Sequence, residues 1–212
     1  MPKRRTVIPL PDYERIFRLI CGVLDTRLNT PHQCIFFSLV GSAILETEYK
    51  LQANPVAGAA AYAVNASTGL VSTYGTIENN ELVSSPDAFH CWIESEGVVV
   101  DFMAPLFEQS LKTYGHSSSI SPRMFQKPRA EMATTVRDLR KEGDFYLNPN
   151  PELALEVFGS FAGRAGVTDL ANVAMHWFRR PPKSLPSGFG MRDDLGNVHT
   201  LQLKGPRMAG VW

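Results

Sequence analysis

From Pro11 to Leu24 the apolar residues Ile16, Phe17, Ile20, Val23 and Leu24 recur at helical spacing, with Asp12 and Glu14 near the N-terminal end that favours negative charge. The pattern predicts a surface helix with one buried stripe, and Cys21 beside that stripe reads as an inert packed thiol. A second helix is predicted over 29–45. Thr30 stands as its N-cap, Pro31 takes the first helical position, and Gln33 completes a T-x-x-Q capping box. Cys34 falls in the first turn. Beyond it the run is apolar nearly all round, the mark of a central helix buried on most sides.

Small and apolar residues over 54–64 and the segment 69–74 read as strands, with turn chemistry at 65–69, although the Ala-rich stretch is also compatible with helix. A clearer hairpin spans 87–102. With Ser95-Glu96 as a two-residue turn, Phe89, Cys91 and Ile93 share an apolar face with Val98, Val100 and Phe102. Cys91 is therefore expected to be structural. The same register sets His90 opposite Asp101 and Trp92 opposite Val99 on the other face. A slip by one residue would send Asp101 into the apolar face, so the pattern opposes it.

Further along come a Ser-rich loop at 117–121, a helical stretch over 131–141, and two helices at 151–164 and 168–180, the last stopped by Pro181-Pro182. Arg179-Arg180 reads as a solvated helix end. A final hairpin over 188–203 is turned by Asp193-Asp-Leu-Gly196.

At 212 residues and 44% hydrophobic content the chain fits one α+β domain, with a core over about 26–105 and a helical annex and hairpin over about 120–212. Lys plus Arg equal Asp plus Glu at 21 each, so no global field draws the protein to nucleic acid or membrane. No stretch approaches the roughly 20 apolar residues of a membrane span. Residues 6–10 are too short and Pro-rich for a signal peptide, and a cytoplasmic location is the expectation. Three cysteines without a CxxC spacing argue against a disulfide framework. His116, His176 and His199 are scattered without ligand spacing, and neither a metal nor another cofactor is expected.

Chemistry concentrates on three residues. A carboxylate beside an imidazole fixes its tautomer and stabilises the imidazolium, which suits His90 and Asp101 to serve a nucleophile. Cys34 is the expected nucleophile: unpaired N–H groups and the positive end of a helix dipole favour thiolate, and a neighbouring imidazolium favours it further. The Cys34 N–H is also the first candidate donor to an oxyanion. Trp92, on the His90 face, either walls the site or packs beneath the annex. His32 reads as an exposed helix-start residue.

Cys34 at a helix start, His90-Cys-Trp92 on one strand and Gly97-Val-Val-Val-Asp101 on the next together resemble the core of transglutaminase-like proteins within the papain-like cysteine hydrolase superfamily. The chain as a whole resembles the bacterial family of unknown function DUF2026. The core resemblance covers roughly residues 30–105 and implies a central helix packed on an antiparallel sheet. Two positions depart from it. The tryptophan that often follows the nucleophile is Ile35 here, and Gln33 is adjacent to Cys34, whereas papain's oxyanion glutamine lies several residues upstream. Asn29 is the upstream amide at a comparable distance and stands as a candidate second oxyanion donor, while Gln33 reads chiefly as a capping residue.

The expected activity is hydrolysis or acyl transfer at an amide or peptide bond of a peptide, protein or small amide, through a Cys34-His90-Asp101 triad and a thioester. The alternative is a non-catalytic module that keeps the papain-like fold and holds a peptide or protein in its cleft. A metal-dependent hydrolase is a third class. The sequence leaves the oligomeric state open.

Overall fold

Helix α1 (Leu10–Leu24) forms where the periodicity predicts it and buries Tyr13, Ile16, Phe17, Ile20 and Cys21. The computed structural model describes residues 6–24, 33–113, 115–117, 119–184, 190–192, 196, 198–200 and 207–212. Helix α2 (Gln33–Tyr49) is buried along most of its length, as its all-round apolar pattern requires. The proposed cap residues Thr30 and Pro31, together with Asn29 and His32, lie outside the described residues.

The Ala-rich run resolves as strand β1 (Ala53–Asn65). Then come β2 (Leu70–Tyr74), a small separate pair β3 (Thr76–Glu78) and β4 (Glu81–Val83), and the hairpin β5 (His90–Ser95) and β6 (Val98–Asp101). Next are α3 (Phe107–Thr113), β7 (Phe125–Pro128), β8 (Phe145–Pro149), α4 (Pro151–Ala162) and α5 (Ala165–Arg179). Strands β9 (Gly190–Arg192) and β10 (Val198–Thr200) pair antiparallel, as expected of the final hairpin, whose turn residues 193–195 lie outside the described residues.

The main sheet has six strands in the order β2-β1-β5-β6-β7, with β8 also on β1, and every pairing is antiparallel. Curled around β1 with helices packed on it, it makes an α+β fold. Small side chains on β1 are a packing requirement. Ala57, Ala59, Ala60 and Ala61 are fully buried, and a Cβ at Gly58 would lie 2.2 Å from the Asn148 carbonyl oxygen on β8. On α2, Gly41 plays the same part: a Cβ there would lie 2.5 Å from Phe102 Cδ2 and 3.0 Å from Ile93 Cδ1. The helix thus sits directly on the β5–β6 hairpin. The main core joins α1, α2 and α5 to Ile93, Val98, Val100 and Phe102, while Tyr62, Trp92, Val99, Phe107, Phe125 and Phe145 make a second core.

The hairpin turn falls one residue later than expected. Glu96 and Gly97 occupy it, with φ of +50° and +75°, and the register is Ile93↔Val100, Glu94↔Val99 and Ser95↔Val98. Two successive left-handed residues make the turn that matches strand twist, and glycine accepts the second position at no steric cost. Moving the turn by one residue shifts the pairing by two, so Glu94, not Trp92, opposes Val99. His90 and Asp101 are then not directly opposite, yet both keep their face, because parity survives a shift of two.

The helix expected over 131–141 is replaced by 3-10 turns at Arg129–Glu131 and Val136–Asp138. Side chains there compete for the backbone: Asp138 accepts from the Thr135 N–H at 3.0 Å, and Asp144 accepts from Arg140 and Lys141 at 2.8 and 2.7 Å. The α5 terminus is also more than a solvated end, since Arg179 Nε pairs with Glu48 Oε1 of α2 at 2.6 Å.

Candidate functional site

His90 begins β5 and Asp101 ends β6, so both stand at the same end of the hairpin. His90 Nε2 and Asp101 Oδ2 are 2.7 Å apart, with both side chains about 1% exposed. Two further contacts fix the aspartate. Its Oδ1 accepts from the Met103 N–H at 2.9 Å, and its carbonyl accepts from the Tyr13 hydroxyl of α1. The carboxylate is therefore held from both oxygens, and one points at the imidazole.

Aromatic rings enclose His90. Tyr74 stacks on it with centroids 4.4 Å apart at 26°, Tyr62 meets it edge-on at 5.8 Å and 83°, and Phe107 closes at 6.1 Å. The sequence reasoning did not identify these three. Tyr62 and Tyr74 had a legible signal in the alternation along β1 and β2, which pair as Tyr62↔Ser72 and Ala60↔Tyr74. Phe107 had none, since α3 was not expected.

Cys34 lies in the first turn of α2, buried with Ile35, Ala57, Phe89, Cys91 and Leu153. His90 Nδ1 is buried without a well-formed hydrogen bond. The Cys34 thiol is near enough to interact with the ring, and each group shifts the other. Burial works to lower the His90 pKa, and the Asp101 carboxylate, assisted by the Cys34 sulfur, overcomes it and lifts the ring from 6.5 to about 10.

For Cys34 the largest influence is a hydrogen bond from the Cys91 thiol. Burial opposes it, His90 adds to it, and the net result is a fall from 9.0 to about 5. Cys91 moves the other way, raised by burial first and then by the Cys34 sulfur, so it keeps its proton and donates it. Both directions favour a thiolate beside an imidazolium.

The remaining expected residues fall as follows. Gln33 is buried beside Cys34 at the helix start. Asn29 lies outside the described residues, so the pairing of two oxyanion donors is not on view. Trp92 is fully buried in the second core, and its indole N–H donates to Glu94 Oε1 at 3.1 Å. It packs there with Tyr62 and Phe107, and not beneath α4 or α5. Burial pushes the Cys21 thiol up, in keeping with a packed group. Among the described residues no group of three or more His, Cys, Asp or Glu is arranged to hold a metal ion, and no helix is long and apolar enough to cross a membrane.

A solved crystal structure described only as genomics APC5867 is similar to this chain over the full length of both, with 31% identity and a TM-score of 0.81. No curated protein matches the chain. The family model for DUF2026, a protein of unknown function, matches residues 9–212. With essentially the whole chain matched, the protein belongs to the DUF2026 family.

Proposed function

We propose that this protein is a cysteine-nucleophile hydrolase or acyltransferase of papain-like, transglutaminase-like architecture that acts on an amide or peptide bond. The observation that carries the reading is the buried 2.7 Å His90–Asp101 pair, whose imidazole interacts with a thiol in the first turn of a central helix. The chain order supports it as well: nucleophile on the helix, histidine on one strand and aspartate on the next.

In the proposed reaction the Cys34 thiolate attacks the carbonyl carbon, and the Cys34 N–H donates to the developing oxyanion. The His90 imidazolium then gives its Nδ1 proton to the departing amine, leaving a thioester on Cys34. Asp101, bonded to Nε2, keeps the ring in the tautomer and orientation this transfer needs. Neutral His90 next takes a proton from the acyl acceptor. Water makes the protein a hydrolase, and a primary amine makes it an acyltransferase.

The test is capture of the acyl-enzyme. Activated esters and amides of small acids and peptides are incubated with the protein, and adducts are located by peptide mass mapping. An adduct on Cys34 that hydroxylamine releases, and that Cys34→Ala lacks, supports the reading; release rates with and without an added primary amine then identify the acceptor. Equal substrate turnover by wild type and Cys34→Ala would defeat it.

A further inference from the structure

Cys91 was expected only to pack, yet the structure sets it against the Cys34 sulfur. Strand β5 sends successive side chains to opposite faces, so His90 and Cys91 approach Cys34 from different sides. Cys91 shares a buried cluster with Cys34 and with its own cross-strand neighbour Ala57. Its sulfur interacts with both Cys34 and Ser38, which are four residues apart on one face of α2. The Cys91 thiol is thereby fixed over the first turn of the helix. Both thiols are free, and Cys21, buried in the main core, stands apart from them.

We propose that Cys34 and Cys91 form a reversible disulfide when a peroxide oxidises the site, a modification that switches the nucleophile off and protects it from irreversible oxidation. The proposal rests on Cys34 being the reactive thiolate read above, though not on which acceptor the acyl group reaches. In the first step the Cys34 thiolate attacks one oxygen of hydrogen peroxide and the O–O bond breaks. Sulfur is oxidised to sulfenic acid, peroxide is reduced, and the departing hydroxide takes the His90 proton to leave as water. In the second step the Cys91 sulfur attacks the sulfenic sulfur. An S–S bond forms, the S–O bond breaks, and the hydroxyl leaves with the Cys91 proton as a second water. Proximity favours this path over attack by a further peroxide, because the resolving thiol is already in place. A dithiol reductant reverses it by exchange, becoming oxidised while both cysteines regain their protons. The closed form ties the start of α2 to β5 and holds no thiolate.

The experiment uses the reduced full-length protein and equimolar hydrogen peroxide, followed by intact mass, then maleimide labelling under denaturing conditions and peptide mapping. The expected result is loss of two of the three titratable thiols, a mass lower by about 2 Da, and a linked Cys34–Cys91 peptide pair. Cys21 remains alkylatable, and dithiothreitol restores iodoacetamide labelling at Cys34. In Cys91→Ala, and independently in Cys91→Ser, dimedone traps sulfenic acid at Cys34 at about tenfold or more the wild-type yield, and excess peroxide carries it on to sulfinic acid. Wild-type Cys34 that passes to sulfinic acid without the linked pair overturns the proposal, even where iodoacetamide labels the reduced thiol rapidly. A reduced Cys34 inert to both peroxide and iodoacetamide overturns the nucleophile reading beneath it.

Discussion

Alkylation of Cys34 by iodoacetamide, followed against pH, reads the thiolate directly, and the structure fixes the shape the curve should take. With its pKa brought from 9.0 to about 5, about nine-tenths of Cys34 is thiolate at pH 6, against about one-thousandth of an ordinary thiol. That advantage of roughly 900-fold is not realised in full. Nucleophilicity falls with basicity, with a Brønsted slope of about 0.4–0.5, so a drop of about four units costs roughly 40–100-fold and leaves about 10–20-fold at pH 6. The two curves therefore cross near pH 7, and an ordinary thiol is the faster one above it. Restricted access at a thiol only 5% exposed multiplies every point alike and leaves the shape intact. The expected wild-type profile is flat from about pH 6 to 9 and falls as the pH drops through about 5. In His90→Ala the flat region should give way to a rate that climbs with pH, because the cation beside the sulfur is gone. The assay is second-order labelling at each pH, with the site identified by peptide mapping. A wild-type rate rising about tenfold per pH unit between 6 and 8, or the same curve in both proteins, would refute the reasoning.

Asp101→Asn should lower turnover by about 10²–10⁴-fold while leaving the fold intact by circular dichroism. The Met103 N–H needs an acceptor where Oδ1 stands, so the asparagine amide nitrogen is turned toward His90 and selects the wrong tautomer; an unchanged rate would exclude this orienting role. Gly41→Ala forces a methyl against the buried Phe102 and Ile93, and urea denaturation should report a loss of about 1–3 kcal/mol. Glu96→Asn should stabilise by about 0.5–1 kcal/mol in the same assay, since asparagine accepts the left-handed conformation held at φ +50°. The pH dependence of stability should be a plateau between about 6.5 and 9. Below it the unfolded chain binds one more proton, at Cys34, until the folded thiolate protonates near 5; above it the folded chain holds more protons, at His90 until that leaves near 10 and at Cys21 and Cys91, whose thiols burial keeps protonated. Stability thus declines at up to about 1.4 kcal/mol per pH unit on the acid side and more steeply on the alkaline side, and Cys34→Ala should abolish the acid slope, as denaturation midpoints across pH would measure.

Legibility in the sequence followed the range of the interactions involved. Helix α1 was readable because five apolar residues repeat at its own period, and α2 because only the small Ser38 and Ser42 interrupt its apolar run. Parity in the β5–β6 hairpin was readable as well, which is why His90 and Asp101 could be set on one face despite the misplaced turn. Choosing between Ser95-Glu96 and Glu96-Gly97 depends on backbone conformation, to which Gly97 was the available clue. Strands β7 and β8 were not found. Each is short, each ends in proline, and each exists through partners far along the chain, Val98–Asp101 for one and Gly58–Tyr62 for the other. Their pairing is a tertiary outcome that local propensity does not carry. Gln126 of β7 makes the same point: it accepts from Ile8 N–H and donates to Ile8 carbonyl, and no local pattern announces so distant a partner.

The nearness of Cys91 to Cys34 escaped the sequence for a different reason. Alternation correctly sent Cys91 to the apolar face, and the central helix was correctly expected to lie on the sheet, yet the two together imply that Cys91 faces α2. What parity alone could not supply was the longitudinal position, which sets Cys91 beside Cys34 and not one turn further along. That position follows from β5 beginning at His90, opposite Gly58, where β1 turns to β8 as its other partner. Cys34 is then polarised by two successive residues of one strand, an imidazolium drawn up by Asp101 from one face and a thiol donor from the other. A histidine alone would leave a thiolate in burial that works against it; the second donor offsets that burial. The same interaction that favours the Cys34 thiolate sets a second sulfur against it, so in the proposed chemistry the group that activates Cys34 is also the one that would resolve its oxidised form.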